Sequence, residues 1–210
     1  MHNFTFHNPT KLVFGQGSIN QLTQLLPQDA KLLLTFGGGS VKRNGVYEAV
    51  MAQLEGFQTV EFWGIEPNPK VETLRKAIEL GKHEGVTFVL AVGGGSVLDA
   101  SKLIVNAIPS DRDAWDLVLR GADKTVQTLP LGTVLTIPAT GSEMNRGAVI
   151  SSEATHEKFG FYNEYPRFSI LDPTYTYSLP DYQLACGIAD SFVHVVEQYL
   201  TRAGESPLMD

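Results

Sequence analysis

The sequence predicts an α/β fold built on a parallel sheet with helices on both faces. Apolar runs of strand length alternate with segments whose apolar residues recur at helical spacing, the pattern of successive βαβ units. Two of the strand-like runs, Lys31–Phe36 and Thr87–Val92, lead directly into glycine triplets followed by a serine, Gly37-Gly38-Gly39-Ser40 and Gly93-Gly94-Gly95-Ser96. Turns of this kind fall at the carboxyl ends of their strands, where open α/β sheets bind ligands.

In chain order, Phe4–His7 and Lys11–Phe14 read as short extended segments joined by Asn8-Pro9-Thr10, a hairpin or edge ribbon. Ser18–Leu26 reads as a modest helix ended by Pro27, and Lys31–Phe36 as a buried strand. After the first glycine turn, Val46, Val50, Met51 and Leu54 recur at helical spacing. Thr59–Trp63 is a strand candidate. Glu66-Pro67-Asn68-Pro69 is a rigid turn, because two prolines exclude helix and ladder alike. Leu74, Ala77, Ile78 and Gly81 mark the next helix. Thr87–Val92 then runs through Gly93–Gly95 into a helix over Ser96–Ala107, with Ser96 as its N-cap.

Trp115–Arg120 reads as a short helix and Leu129–Ile137 as extended chain. The latter ends in Pro138-Ala139-Thr140-Gly141-Ser142-Glu143, a turn rich in hydroxyls. Gly147–Ser151, Lys158–Tyr162 and Phe168–Leu171 read as short strands. Asp181–Thr201 carries Ala185, Ala189, Phe192, Val196 and Tyr199 as an apolar stripe and reads as a long helix. The change of character places a domain boundary near Leu179–Asp181.

Composition narrows the function classes. The 210 residues carry a formal net charge of -7 with 43% hydrophobic residues, which fits packed domains and not a disordered chain. With no basic block, nucleic acid is not the expected partner. The single cysteine, Cys186, forms no internal disulfide and fits a reducing compartment. The start shows no basic and apolar signal regions, and no apolar run approaches membrane-spanning length. The expectation is a soluble cytoplasmic protein with no membrane partner.

Two constellations carry chemistry. Gly93–Gly95 lets the backbone bend and approach a ligand, and the free N–H groups of the following helix favour an anion, most simply a phosphate. The triplet is not a GxGxxG fingerprint, and a plain connecting turn is the competing reading. On the last helix Asp190 and His194 are four apart and share a face, so one carboxylate oxygen and one imidazole nitrogen can hold a divalent ion. Glu197 lies a turn further on. Two ligands are an incomplete set, and a solvated polar face is the alternative. His2, His7, His83 and His156 have no partner at ligand spacing. Cys186 reads as a small packed residue rather than a ligand.

Four stretches together resemble the iron-containing alcohol dehydrogenase family. They are Gly93-Gly94-Gly95-Ser96-Val97-Leu98-Asp99 with Lys102; Thr136-Ile137-Pro138-Ala139-Thr140-Gly141-Ser142-Glu143; Leu171-Asp172-Pro173 through Leu179-Pro180; and Gly187-Ile188-Ala189-Asp190 with His194 and Glu197. Gly37–Ser40 and Glu66–Pro69 further resemble the branch of NADP-dependent butanol and broad-range aldehyde/alcohol dehydrogenases. The resemblance implies a Rossmann-like dinucleotide-binding domain, residues 1–179, followed by the first helix of an all-helical metal domain, residues 180–210. It implies that Gly94, Gly95 and Ser96 hold the pyrophosphate, and that Thr136, Thr140 and Ser142 line the nicotinamide side. Asn68 and Lys158 would also touch the cofactor, and Asp99 would sit in the same cleft. Asp190 and His194 would be the first two of four ligands to Fe2+ or Zn2+ and would act in catalysis through that ion. It further implies a homodimer acting on a primary alcohol or aldehyde such as butanol or butanal.

The remaining metal-binding histidines of the family lie on later helices, whereas this sequence stops at Asp210, so it reads as an N-terminal fragment that turns over no alcohol. Glycerol-dehydrogenase-like or dehydroquinate-synthase-like enzymes share the architecture, and a nucleotide-binding module without turnover is the rival from another class. Gly37, Gly38, Gly39 and Ser40 offer no acidic group for a ribose 2′-hydroxyl, and Lys42 and Arg43 lie close by, so NADP(H) is the expected cofactor.

Overall fold

The computed structural model describes Asn3 and residues 5–200. The chain divides into two compact units between Tyr175 and Thr176. The first unit is built on strands β1 (Lys11–Phe14), β2 (Lys31–Phe36), β3 (Gln58–Phe62), β4 (Phe88–Gly94), β5 (Leu131–Ile137), β6 (Gly147–Ser152), β7 (Glu157–Tyr162) and β8 (Phe168–Leu171). Its helices are α1 (Leu22–Leu25), α2 (Ser40–Arg43), α3 (Val46–Gln53), α4 (Val71–Glu84), α5 (Gly95–Ala107) and α6 (Ala114–Arg120). Six strands form one sheet in the order β1-β8-β5-β4-β2-β3, every pair parallel, while β6 and β7 form a separate antiparallel ribbon.

A parallel sheet covered on both faces needs apolar residues at every position of its central strands, which is why β2 and β4 read as continuous apolar runs. Successive side chains point to opposite faces. Leu32, Leu34 and Phe36 of β2 join Phe88, Leu90 and Val92 of β4 in a core with Leu22, Val46 and Val50. Leu33, Val89 and Ala91 point the other way, into a core with Leu74, Ile78, Leu98 and Leu103. The one polar side chain inside β2, Thr35, is buried and shares a 2.8 Å hydrogen bond with Ser101 of α5. From β2 the chain moves outward to β3, and from β4 it moves to β5 on the opposite side. The connections leaving β2 and β4 therefore run in opposite directions, the switch point at which an open α/β sheet has its crevice, here between the two glycine turns.

Several boundaries differ from the sequence reading. Residues 5–7 are not a strand, Phe4 lies outside the described residues, and no hairpin forms at the start. Instead β1 pairs with β8 at the sheet edge. Asn8 is the reason: its side chain donates to the Met144 carbonyl (2.6 Å) and accepts from the Thr10 N–H (3.0 Å), tying the segment across the fold and not into a turn. The helix expected over Ser18–Leu26 is a 3-10 turn, Ser18–Gln21, followed by α1, and Leu26 is already extended, as a residue before proline prefers. Helix α5 starts at Gly95 with Gly94 in the N-cap position, so Ser96 is inside the helix and is not its cap. Strand β5 starts at Leu131, after Pro130, which has no N–H for a ladder. Of the three late strands, only Phe168–Leu171 joins the main sheet.

The second unit is described by itself. Its one regular element among the described residues is α7 (Asp181–Leu200), and Thr201 lies outside them. Among the described residues no helix is long and apolar enough to cross a membrane.

Close packing of β5 on β8 leaves no room at Gly132, where an added Cβ would press into the Phe168 ring. Gly132→Ala is expected to destabilise the chain by about 1–3 kcal/mol through overpacking, and Phe168→Leu in the same chain should recover part of that loss. Urea unfolding of the two single variants and the double variant checks it. A Gly132→Ala chain as stable as its parent would contradict this packing.

Candidate functional site

The two glycine turns meet across the crevice. A Cβ built on Gly37 would lie 3.6 Å from the Val97 side chain of α5 and 3.4 Å from the Ile65 carbonyl. The first turn is anchored where the Gly64 N–H donates to the Gly37 carbonyl (3.2 Å) and the Ile65 N–H to the Phe36 carbonyl (3.1 Å). Gly38 and Gly39 face open space, and Gly39 has φ 93, a conformation that favours glycine. In the second turn, Gly93 is needed because a Cβ would lie 2.7 Å from Val97, and Gly95 because it would lie 2.5 Å from the Thr140 hydroxyl. Gly94 has ordinary room, 3.6 Å from Ile137. No side chain caps α5, a helix of 13 residues, so its first N–H groups are left to an external acceptor. Open backbone at two adjacent turns and an uncapped helix start suit a ligand carrying phosphates.

Beyond Gly95 the crevice is bordered by the end of β5 and the segment after it. Thr136 is buried and Thr140 exposed. Ser142 is buried; its hydroxyl donates to one Asp99 oxygen (2.6 Å) and accepts from the Lys102 ammonium (2.8 Å). The other Asp99 oxygen accepts from the Val149 N–H (2.9 Å). Lys102 is fully buried and donates also to the Asn145 side-chain carbonyl (3.0 Å) and the Gly147 carbonyl (2.6 Å). Burial pushes the Lys102 ammonium down to about 8, against the pull of Asp99 and Glu143. Burial likewise raises Asp99, opposed by its hydrogen bonds from Ser142 and Val149 and by the charges of Lys102 and Lys158. Lys158 on β7 donates to the Asn68 side chain at 2.7 Å, and Asn68 sits in the left-handed region at φ 54. Asp99, Ser142, Asn68 and Lys158 thus belong to one connected region on the β4–β5 side.

On the β2–β3 side lies a cluster that sequence reasoning missed. Trp63 stacks on Phe36 at 4.1 Å, and the Lys42 ammonium sits 4.1 Å from the Trp63 ring. The Tyr47 hydroxyl and the Trp63 indole each donate to Glu61 at 2.7 Å. Glu61 therefore has both oxygens engaged by aromatic donors, and its bond from Tyr47 raises the Tyr47 phenol. Lys102 was visible only as part of a motif. Its signal in the sequence is the spacing of Asp99, Lys102 and Asn106, a polar row on an otherwise apolar helix.

On α7, Asp190 Oδ2 and His194 Nε2 are 3.6 Å apart. Ligand atoms about 2.1 Å from a tetrahedral ion lie roughly 3.4 Å from each other, so this pair fits half of a coordination set. Among the described residues no cluster of three or more His, Cys, Asp or Glu side chains could hold a metal ion. Cys186 is exposed and not the packed residue expected from the sequence, since no residue of α7 is buried.

Known proteins match this arrangement. Residues 9–173 match the sequence profile of iron-containing alcohol dehydrogenases. The NADPH-dependent aldehyde reductase YqhD of Escherichia coli (strain K12) is 48% identical over 214 residues, covering 100% of this chain and 55% of the relative. A probable NADH-dependent butanol dehydrogenase of Bacillus subtilis (strain 168) is 45% identical with the same coverage. The crystal structure of E. coli K-12 YqhD superposes with a TM-score of 0.89 at 48% identity, over 98% of this chain and 54% of that one. The structure of NADH-dependent butanol dehydrogenase A from Thermotoga maritima gives 0.87 at 42% identity, over 95% and 52%. The chain spans about half the length of the curated relatives it matches. With a parallel sheet, two facing glycine turns and a profile match from β1 to the end of β8, the chain belongs to the iron-containing alcohol dehydrogenase family.

Proposed function

We propose that this chain is the nucleotide-binding part of a metal-dependent alcohol dehydrogenase or aldehyde reductase that uses NADP(H). The observation that carries the reading is the pair of glycine turns facing each other across the β2–β4 crevice, with Gly37 against Val97 at the start of an uncapped helix. The N–H groups of Gly94, Gly95 and Ser96 would hold the pyrophosphate. Gly37, Gly38, Gly39 and Ser40 would take the adenosine 2′-phosphate, with Lys42 supplying charge. Thr136, Thr140, Ser142 and Asp99 would border the nicotinamide side, with Asn68 and Lys158 closing over it. Asp190 and His194 would contribute to holding Fe2+ or Zn2+. When bound, the dinucleotide carries the hydride and the ion polarises the substrate oxygen. The chain's own task is to fix the dinucleotide with fixed N–H dipoles that need no rearrangement on binding.

The relatives differ in the cofactor their names carry: NADPH for YqhD, NADH for the B. subtilis protein. The preference for NADP(H) here rests on the residues around Gly37–Ser40. Gly37–Ser40 itself carries no acidic side chain for a 2′-hydroxyl, and both oxygens of Glu61 are engaged by Tyr47 and Trp63. The glycerol-dehydrogenase-like alternative gains no support from the relatives, which are named for aldehydes and alcohols.

Gly38 is the position at which to test this preference, because a side chain there has open space, whereas any substitution at Gly39 is strained by its φ of 93. Gly38→Asp is expected to weaken NADPH about tenfold or more while sparing NADH, since a carboxylate beside the 2′-phosphate costs at least the ~1.4 kcal/mol that tenfold represents. Fluorescence titration with both cofactors measures it, and equal affinities for NADPH and NADH in the parent chain would overturn the preference.

In a full-length version, His194→Ala should lower the metal content and the rate together and leave NADPH affinity unchanged, because the glycine turns are untouched. The 210-residue chain, in which Asp190 and His194 are two of the four ligands the resemblance implies, is expected to bind NADPH without turning over alcohol. Elemental analysis beside an NADPH titration decides both. Full metal content and activity in His194→Ala would return Asp190 and His194 to a solvated polar pair.

A further inference from the structure

Lys102 has no direct part in the reading above, yet it is a fully buried cation at the back of the crevice. Its three donor positions match three acceptors on the stretch that leads into β6: the Ser142 hydroxyl, the Asn145 side-chain carbonyl and the Gly147 carbonyl. The Ser142 hydroxyl donates in turn to Asp99, whose second oxygen accepts from the Val149 N–H. Between the 3-10 turn at Ser142–Met144 and the start of β6 the chain has no regular structure of its own. Side-chain bonds to α5 therefore fix its path beside Thr140. A further bond holds the helix end of this contact, where the Asn163 side chain donates to the Lys102 carbonyl at 2.9 Å.

We infer that Lys102 is a positioning residue for the nicotinamide end of the cofactor: its ammonium fixes Ser142 and, through Ser142, the orientation of Asp99. The inference rests on the dinucleotide reading given above. An ammonium has three donors and satisfies all three acceptors, whereas a neutral amine has two and leaves one of them unpaired. Loss of the Lys102 proton also removes the charge beside Asp99. The ionisable groups that act on Lys102 are Asp99 on its own helix and Glu143 on the facing turn, and Lys158 acts on Asp99. With the ammonium lowered to about 8, this arrangement loosens within an accessible pH range.

The sign separates positioning from stability. In the unfolded chain Lys102 keeps its proton to about its ordinary value of 10.5, and in the folded chain only to about 8. Between those values the unfolded state binds more protons, so this group favours the folded state increasingly as pH rises. A loss of NADPH affinity above pH 8 through Lys102 is therefore not a loss of fold.

The test is a titration of the 210-residue chain with NADPH and, separately, with 2′,5′-ADP, which carries the adenosine phosphates and lacks the nicotinamide. If binding of the nicotinamide end requires the ammonium, the NADPH dissociation constant should rise roughly tenfold between pH 7 and pH 9, in step with the fall of the competent fraction. The constant for 2′,5′-ADP should stay flat, and the melting temperature should not fall for this cause. Ser142→Ala removes the link between Lys102 and Asp99. It should bind NADPH more weakly at pH 7 and lose the response between pH 7 and pH 9, whereas Lys102→Met should do the same if it folds. A flat NADPH profile in the parent chain overturns the inference and leaves the dinucleotide reading standing, as does a response that persists in Ser142→Ala or is equal for 2′,5′-ADP. Failure of the parent chain to bind either ligand at any pH removes the dinucleotide reading itself and this inference with it.

Discussion

Helix α5 is buried from Val97 to Ala107 except for Asp99, and a helix so placed cannot leave charged or amide side chains without partners. Asp99, Lys102 and Asn106 lie on one face of it and each holds irregular chain. Asp99 takes Ser142 and Val149, and Lys102 takes Ser142, Asn145 and Gly147. Asn106 donates to the Asp123 carbonyl and Thr128 and accepts from the Asp123 N–H. The stretch 121–128 and the chain from Ser142 into the start of β6 are thus tied to α5 by one polar row. The opposite side of the same helix meets the sheet through Ser101 and Thr35 and through the apolar core. Breaking a member of the row would leave a buried partner, Ser142 or Asp123, without that bond, at a cost of about 1–3 kcal/mol for a neutral group left unpaired.

The same helix also makes the crevice usable. Its start faces the end of β2 because the strand order reverses between β2 and β4, and glycine at positions 93 and 95 lets Val97 and Thr140 close against the turn. The open backbone of Gly94 is left toward the crevice by those two contacts. Packing and binding are coupled here, since the side chain that requires glycine at 95 belongs to the hydroxyl-rich turn beside the nicotinamide side in the proposed reading. The β2–β3 side is built differently, from stacked Phe36 and Trp63 with Lys42 over the ring. The β4–β5 side is thus held by hydrogen-bonded polar groups, the β2–β3 side by stacked aromatic rings and a cation.

The central strands and the glycine turns were legible in the sequence because a doubly covered parallel strand has to be apolar at every position, and β2 is predicted at Lys31–Phe36 and observed there. Helix α4 was legible from Leu74, Ala77, Ile78 and Gly81, all of which are buried. Pairing was not legible. Nothing local in Lys11–Phe14 announces that its partner is Phe168–Leu171, and the hairpin signal of Asn8-Pro9-Thr10 is overridden by the reach of Asn8 to Met144. The Ser96 cap failed because β4 continues to Gly94 and the helix begins at once, leaving no residue between them for a cap side chain. Asp99 and Ser142 were named as neighbours in a cleft from a resemblance. That Ser142 donates a hydrogen bond to Asp99, and that Lys102 donates to Ser142 across 40 residues of chain, is something only the fold supplies.

The most direct measurement is an amide chemical-shift titration of the chain with NADPH. Binding in the crevice between the glycine turns should move the amides of Gly37–Ser40, Gly94–Val97 and Thr140–Ser142 together, with one common affinity, and leave those of Asp123–Leu129, before β5 begins, in place. Shifts confined to other parts of the sheet, or none at saturating NADPH, would contradict a dinucleotide site at this crevice.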